Sequence, residues 1–297
     1  MRRAVSGMYS LFERINVNAT FSYSKNEWGL ILGASSGFGA ATARELARHG
    51  MSIIGVHFDR AAGMPVVEAL IKELQGYGVN VRYFNVNASD PQKRAEVLDT
   101  MKKEFESDTS NTIRVLMHSL AFGSLKPLVS PKAGGSLTQA QVEMTMDVMA
   151  NTLVYWTQAV VERGLMKRGG RIFAMTSSGG HSSLLNYGAV SAAKAALESY
   201  IRQISLELGP MGITANTILG GVTDTPALKK IPGALEMLEI AKARNPSMRN
   251  CTPEDIAKAI ALLAHDNAYF IASNVIRVDG GEDYVQYIGK KSVEKLD

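Results

Sequence analysis

A chain of 297 residues, 46% hydrophobic and 20% charged, has the composition of a globular protein and the length for one large α/β domain with a substantial core. It holds no apolar run of the roughly eighteen residues that a membrane-spanning helix needs, and its one cysteine, Cys251, excludes an intramolecular disulfide and has no metal-ligand pattern around it. The formal net charge of +4 suits an anionic partner such as a phosphorylated cofactor or an acidic carrier, while the scattered basic residues, without a reading helix or an aromatic platform, speak against nucleic acid.

Residues 1–26 read as an N-terminal arm with Arg2, Arg3 and Arg14 but no apolar period. The opening residues lack the apolar core of a secretory signal, so the cytoplasm is the expected compartment. From residue 27 to 297 a single domain is expected, in which short apolar runs alternate with amphipathic stretches of helical length. The runs Trp28 to Leu32, Ser52 to His57, Val79 to Phe84, Ile113 to His118, Arg171 to Met175, Thr214 to Leu219 and Val275 to Val278 read as strands. Alternation of this kind predicts a Rossmann-type, doubly wound, seven-stranded parallel sheet with helices on both faces. A ligand crevice then lies at the carboxyl ends of the strands, where the strand order reverses. Residues 222–248 break the rhythm with a loop and short helices rich in Leu, Met and Ala, and read as a small substrate lid.

The first strand runs into Gly33-Ala34-Ser35-Ser36-Gly37-Phe38-Gly39, followed by a helix from Ala40 to His49. Glycines at a strand-to-helix turn let the backbone approach a pyrophosphate, and the free N–H groups of the helix end favour the negative charge. The second strand ends in His57-Phe58-Asp59-Arg60. With His57 at the discriminating position and Arg60 within reach of a 2′-phosphate, NADPH is favoured over NADH; a register two residues along would make Asp59 a ribose ligand instead. Asn87 and Ala88 after the third strand are placed to meet an adenine, and Ser119, Leu120 and Ala121 after the fourth to lie beneath ribose and nicotinamide. His118 reads as a satisfied strand-end histidine.

Tyr187 and Lys194, with six residues between them, sit at the start of a long helical stretch. Seven steps of 100° place both on one face, roughly 10 Å apart along the axis. The position four before the lysine is Val190, which has no proton to give. A hydroxyl displaced outward along the helix suits an oxygen two bonds from the carbon that receives hydride, as in an α,β-unsaturated thioester, better than the oxygen of a ketone. Ser177, ten residues before the tyrosine at the end of the fifth strand, is placed to give the same oxyanion a second hydrogen bond, and Lys194 to bind the nicotinamide ribose and favour the ionised phenol.

Gly33-x-x-x-Gly37-x-Gly39, Ser177, Tyr187, Lys194, Asn216 to Thr225 and Val278-Asp-Gly-Gly281 resemble the short-chain dehydrogenase/reductase family over about residues 28–285. Within it, the Tyr-x6-Lys spacing, His118-Ser119 and the run Gly220 to Pro232 are similar to the NADPH-dependent enoyl-acyl-carrier-protein reductases of Bacillus type. The resemblance implies reduction of a trans-2-enoyl thioester of acyl-carrier protein or coenzyme A in fatty-acid synthesis. It also implies a carboxamide site at Gly221, Val222 and Thr225, and a homotetramer built on long helices. Three positions depart from the family pattern. Ser177 stands where the best-known enoyl reductases carry a second tyrosine, Asp147 where the wider family has an asparagine, and Leu32 where threonine is usual. A carbonyl reductase acting on a ketone, and a non-catalytic NADP-binding regulator, are the alternative readings.

Overall fold

The computed structural model describes residues 21–285; the arm before residue 21 and the basic stretch at 290–295 lie outside the described residues. Seven strands form one parallel sheet in the order β3-β2-β1-β4-β5-β6-β7. They are β1 (Glu27–Leu32), β2 (Ser52–His57), β3 (Val81–Asn85), β4 (Thr112–His118), β5 (Arg171–Thr176), β6 (Thr214–Gly220) and β7 (Val275–Val278). The expected strands therefore all occur. The third begins two residues late, because Asn80 N–H is taken by Ser52 Oγ before the β2 ladder starts at Val81.

Strands buried on both faces need helices on both. On one side α1 (Gly37–Arg48), α2 (Met64–Gln75) and α8 (Pro253–Ala264) pack Leu46, Leu70, Leu74, Ile256 and Ile260 against Ile31, Ile53 and Val115. On the other, α3 (Pro91–Phe105), α4 (Gln139–Met146), α5 (Thr152–Glu162) and α6 (Gly188–Leu208) pack Leu98, Leu153, Trp156, Leu197 and Ile201 against Leu30, Leu32 and Leu116. Alternate residues of β1 thus feed opposite cores, as the period of two requires. Caps fix where the helices start: Asp90 accepts from the N–H groups of Gln92 and Lys93 ahead of Pro91, and Thr138 and Thr252 form reciprocal capping boxes with Gln141 and Asp255.

Between α4 and α5 the helix widens into a π turn, Asp147–Asn151. The sheet order reverses between β1 and β4, and the loops after β1, β4, β5 and β6 meet there around one cavity of about 1360 Å³. Residues 222–248, including α7 (Ala234–Arg244), lie over it through Thr225, Leu228, Ile231, Met237 and Ile240. No helix among the described residues is long and apolar enough to cross a membrane.

Candidate functional site

The glycine turn builds one end of the cavity. Gly33 has φ +90, and a Cβ there would lie 2.5 Å from the Ser119 carbonyl oxygen; a Cβ on Gly39 would collide with the Gly33 carbonyl. Only hydrogen fits at either place, so the β1 turn, the start of α1 and the end of β4 close on one another. Ser36, the N-cap of α1, uses no side-chain oxygen to cap the helix, which leaves the first N–H groups of α1 facing the cavity. This cradle, too tight for side chains and edged with free donors, fits the pyrophosphate of a dinucleotide. Ser35, Ser36, Gly37, Phe38, Asn87, Ala88, Ser119, Leu120 and Ala121 all line the cavity; Gly39 lies behind it and acts through packing alone.

At the end of β2, His57 is buried and its Nδ1 lies 2.9 Å from Asp59 Oδ2. The backbone of Asp59 is pinned by Asn85, whose side chain accepts from its N–H and donates to its carbonyl. Asp59 is thus engaged on two sides, whereas Arg60 is exposed on the cavity edge and makes no ion pair among the described residues. Phe58, 77% exposed, also lines this edge and was not singled out from sequence, where a lone aromatic between His and Asp carries no signal.

The other end holds the polar cluster. Tyr187 is the N-cap of α6 and Lys194 lies within its second turn, both facing the cavity. The Lys194 Nζ donates to the Met175 carbonyl at 2.7 Å, and burial lowers its pKa to about 8 against the opposing pull of Glu198. Burial likewise raises the Tyr187 pKa, and the nearby Ser177 hydroxyl draws it back. The expectation that Lys194 favours the ionised phenol is corrected here: desolvation dominates, and the opposing influence is Ser177. Ser177 Oγ is buried with no hydrogen-bond partner among the described residues, and a Cβ on Gly179 would lie 2.5 Å from the Tyr187 ring and 3.3 Å from that Oγ. The two hydroxyls therefore share one small space, with hydrogen-bonding capacity to spare for a third oxygen.

Val190 is buried and faces the same space; a methyl on Gly123 would meet Val190 Cγ2, Met149 Sδ and Thr145 Cγ2 at 2.8, 2.9 and 2.9 Å. Asp147, which stands where the wider family has asparagine, does not line the cavity; the π turn presents Val148 and Met149 there. Val148, Met149 and Val190 give this floor no proton donor.

His118 differs from its expectation. The Thr152 hydroxyl spends its proton on the Val148 carbonyl, so its oxygen accepts from His118 Nε2–H at 2.8 Å, leaving Nδ1 buried without a partner among the described residues. Burial, with the Lys194 charge behind it, pushes the ring down to about 3, so it stays neutral.

Gly221, Val222 and Thr225 line the cavity, and the Val222 N–H donates to both carboxylate oxygens of Glu282 at 3.3 Å. Glu282, its pKa raised chiefly by burial, together with His181, Arg244 and Asp283, forms a wall that sequence reasoning missed. His181 Nε2 sits 3.0 Å from Asp283 across about a hundred residues of chain, a pairing without a local signal. Cys251 is buried, burial raises its pKa, and it takes no part in the cavity.

Residues 33–282 match the family model described as enoyl-(acyl carrier protein) reductase. This chain belongs to the short-chain dehydrogenase/reductase family. Curated relatives of this dehydrogenase/reductase include cis-4-hydroxycyclohexanecarboxylate dehydrogenase of Sinomonas cyclohexanicum, 28% identical over 253 residues covering 85% of this chain and 94% of that protein. Another is 1-cyclohexenylcarbonyl-CoA reductase of Streptomyces collinus, 27% identical over 262 residues, with 86% and 87% covered. The fold matches that of an enoyl-(acyl-carrier-protein) reductase from Anaplasma phagocytophilum solved with NAD, at TM-score 0.75 and 18% identity over 92% of this chain and 98% of that one. The chain is thus an oxidoreductase of this family, in company with both a dehydrogenase and a carbonyl-CoA reductase.

Proposed function

We propose that this protein is an NADPH-dependent enoyl reductase acting on a trans-2-enoyl thioester carried by acyl-carrier protein or coenzyme A. The placement of Tyr187 two turns outward from Lys194, with buried Val190 and Met149 where a nearer proton donor would stand, carries this reading. When bound, NADPH supplies hydride to the β-carbon of the substrate. Among the cavity-lining residues, Gly33, Ser35, Ser36, Gly37 and Phe38 would hold its pyrophosphate side, Arg60 its 2′-phosphate, Asn87 and Ala88 the adenine, Lys194 the nicotinamide ribose, and Gly221, Val222 and Thr225 the carboxamide. For Val222 to take that part, its N–H would have to leave Glu282, to which it donates in the structure.

Tyr187 donates a hydrogen bond to the thioester oxygen as enolate charge gathers there, and Ser177 supplies a second. A phenol whose pKa burial has raised is protonated at neutral pH and enters as a donor. Val190, Met149 and Val148 keep water from the reacting carbon, and Leu228, Ile231, Met237 and Ile240 of the lid cover the acyl chain. Tetramer formation belongs to the same reading and is tested by sedimentation.

The second reading, a carbonyl reductase, draws on Ser177 and on the dehydrogenase relative. Initial rates with crotonyl and acetoacetyl thioesters, each with NADPH and NADH, separate the two. Faster oxidation of NADPH with the crotonyl compound is expected; preference for the ketone reassigns the site.

A further inference from the structure

Three consecutive residues at the end of β5 each serve a different side chain of the site. The Met175 carbonyl accepts from Lys194 Nζ at 2.7 Å, the Thr176 hydroxyl donates to Glu198 Oε1 at 2.7 Å, and Ser177 Oγ faces Tyr187. Glu198 stands four residues beyond Lys194 on α6, so the two lie one turn apart on the same face. A Cβ on Gly180 would lie 2.9 Å from Glu198 Oε1, 3.4 Å from Thr176 Oγ1 and 3.4 Å from Lys194 Cβ. The carboxylate is therefore lodged between the helix, the strand end and the turn Ser178–Gly180, and the turn can close over it because residue 180 has no side chain.

We propose that Glu198 is a positioning residue of this site: its negative charge holds the buried Lys194 as an ammonium, and its bond to Thr176 fixes the strand end so that Ser177 stays beside Tyr187. The assignment rests on the roles given above to Tyr187, Ser177 and Lys194.

The groups facing Lys194 leave this task to Glu198. From β4 comes His118, which is neutral; from β5, the Met175 carbonyl and the Thr176 hydroxyl; from the π turn, where it lines the same cavity, only the uncharged Val148 and Met149; and from α6 and its N-cap, Glu198 and Tyr187. Glu198 is the one charge among them that opposes the desolvation of the lysine. The division of labour predicts different consequences for two substitutions. Glu198→Gln keeps an oxygen to accept from Thr176 and removes the charge, whereas Glu198→Ala removes both.

The pH dependence of NADPH affinity, followed by cofactor fluorescence, and of kcat/KM tests the proposal. An ammonium is required, so both parameters decline as pH rises through the lysine's pKa in the free enzyme. Glu198→Gln is expected to move that alkaline limb down by about one pH unit, the size expected of a unit charge one helical turn away in a partly screened site. Glu198→Ala is expected to show the same shift and, in addition, a lower kcat across the whole pH range from the loosened Ser177. A wild-type limb in Glu198→Gln overturns the charge role, and so does a loss in that variant that is uniform with pH, which marks a merely structural side chain. If Glu198→Ala fails to fold, the Gln variant alone decides. The affinity limb is read without turnover, so a wrong substrate leaves this test standing, while a wrong cofactor site shows as wild-type protein that does not bind NADPH.

Discussion

Lys194 is placed where it costs stability, and the cost can be measured. Its ammonium is enclosed, and its pKa falls from 10.5 to about 8. Between those values the unfolded chain binds the proton more readily than the folded one, so stability rises with pH across that window. The full cost is present below about pH 8, amounts to about 3 kcal/mol at pH 7, and disappears above the pKa of the unfolded lysine. Lys194→Met replaces the side chain with an unbranched apolar one of similar length and removes this cost. It also leaves the Met175 carbonyl without its donor, a loss of about 1 kcal/mol. The variant is therefore expected to be about 2 kcal/mol more stable than the wild type at pH 7, and about equal to it at pH 9.5, where the cost has fallen to about 1 kcal/mol. Urea unfolding at both pH values, on protein without cofactor, reads the difference directly, and the variant should bind NADPH poorly. A variant less stable at pH 7, or an advantage that does not shrink as the pH rises, would mean that the enclosed ammonium carries no such cost.

Other substitutions test other parts of the site. Tyr187→Phe should lower kcat by about two to three powers of ten with cofactor affinity nearly intact, since the phenol acts on the charge that develops in the transition state; single-turnover rates and fluorescence titration separate the two. Arg60→Ala should raise the KM for NADPH by about ten- to a hundredfold and leave that for NADH unchanged, the value of a charge-assisted phosphate contact. Gly39→Ala brings a methyl against the Gly33 carbonyl, pushes the start of α1 off the turn, and should weaken both cofactors more than tenfold in direct titration while thermal unfolding stays cooperative.

The sheet was legible because each strand is a short apolar run closed by turn residues, and the seven runs emerge in place with no end displaced by more than two residues. The glycine turn was legible for the same local reason: strand, three glycines and helix follow one another within a few residues. Tyr187 and Lys194 came from helical spacing, and Ser177 from its place at the end of the fifth strand. What stayed hidden depends on contacts between distant segments. Glu282 reaches Val222 across sixty residues, and nothing near either residue announces it. The state of His118 turns on which way the Thr152 hydroxyl points, and the choice of Met149 over Asp147 at the cavity floor turns on a π turn that rotates the helix register. The phenol's raised pKa reflects burial supplied by the assembled fold, which charge spacing along the chain does not report.

In the proposed reaction hydride reaches a β-carbon and Tyr187 serves an oxygen two bonds away. The most direct measurement offers crotonyl and acetoacetyl thioesters together, in equal amounts, with NADPH carrying deuterium in its transferable position, and locates the label in the products. Deuterium at C3 of a butyryl thioester as the dominant product is the predicted result. Deuterium on the carbinol carbon of a 3-hydroxybutyryl thioester, with crotonyl thioester left unchanged, would contradict it.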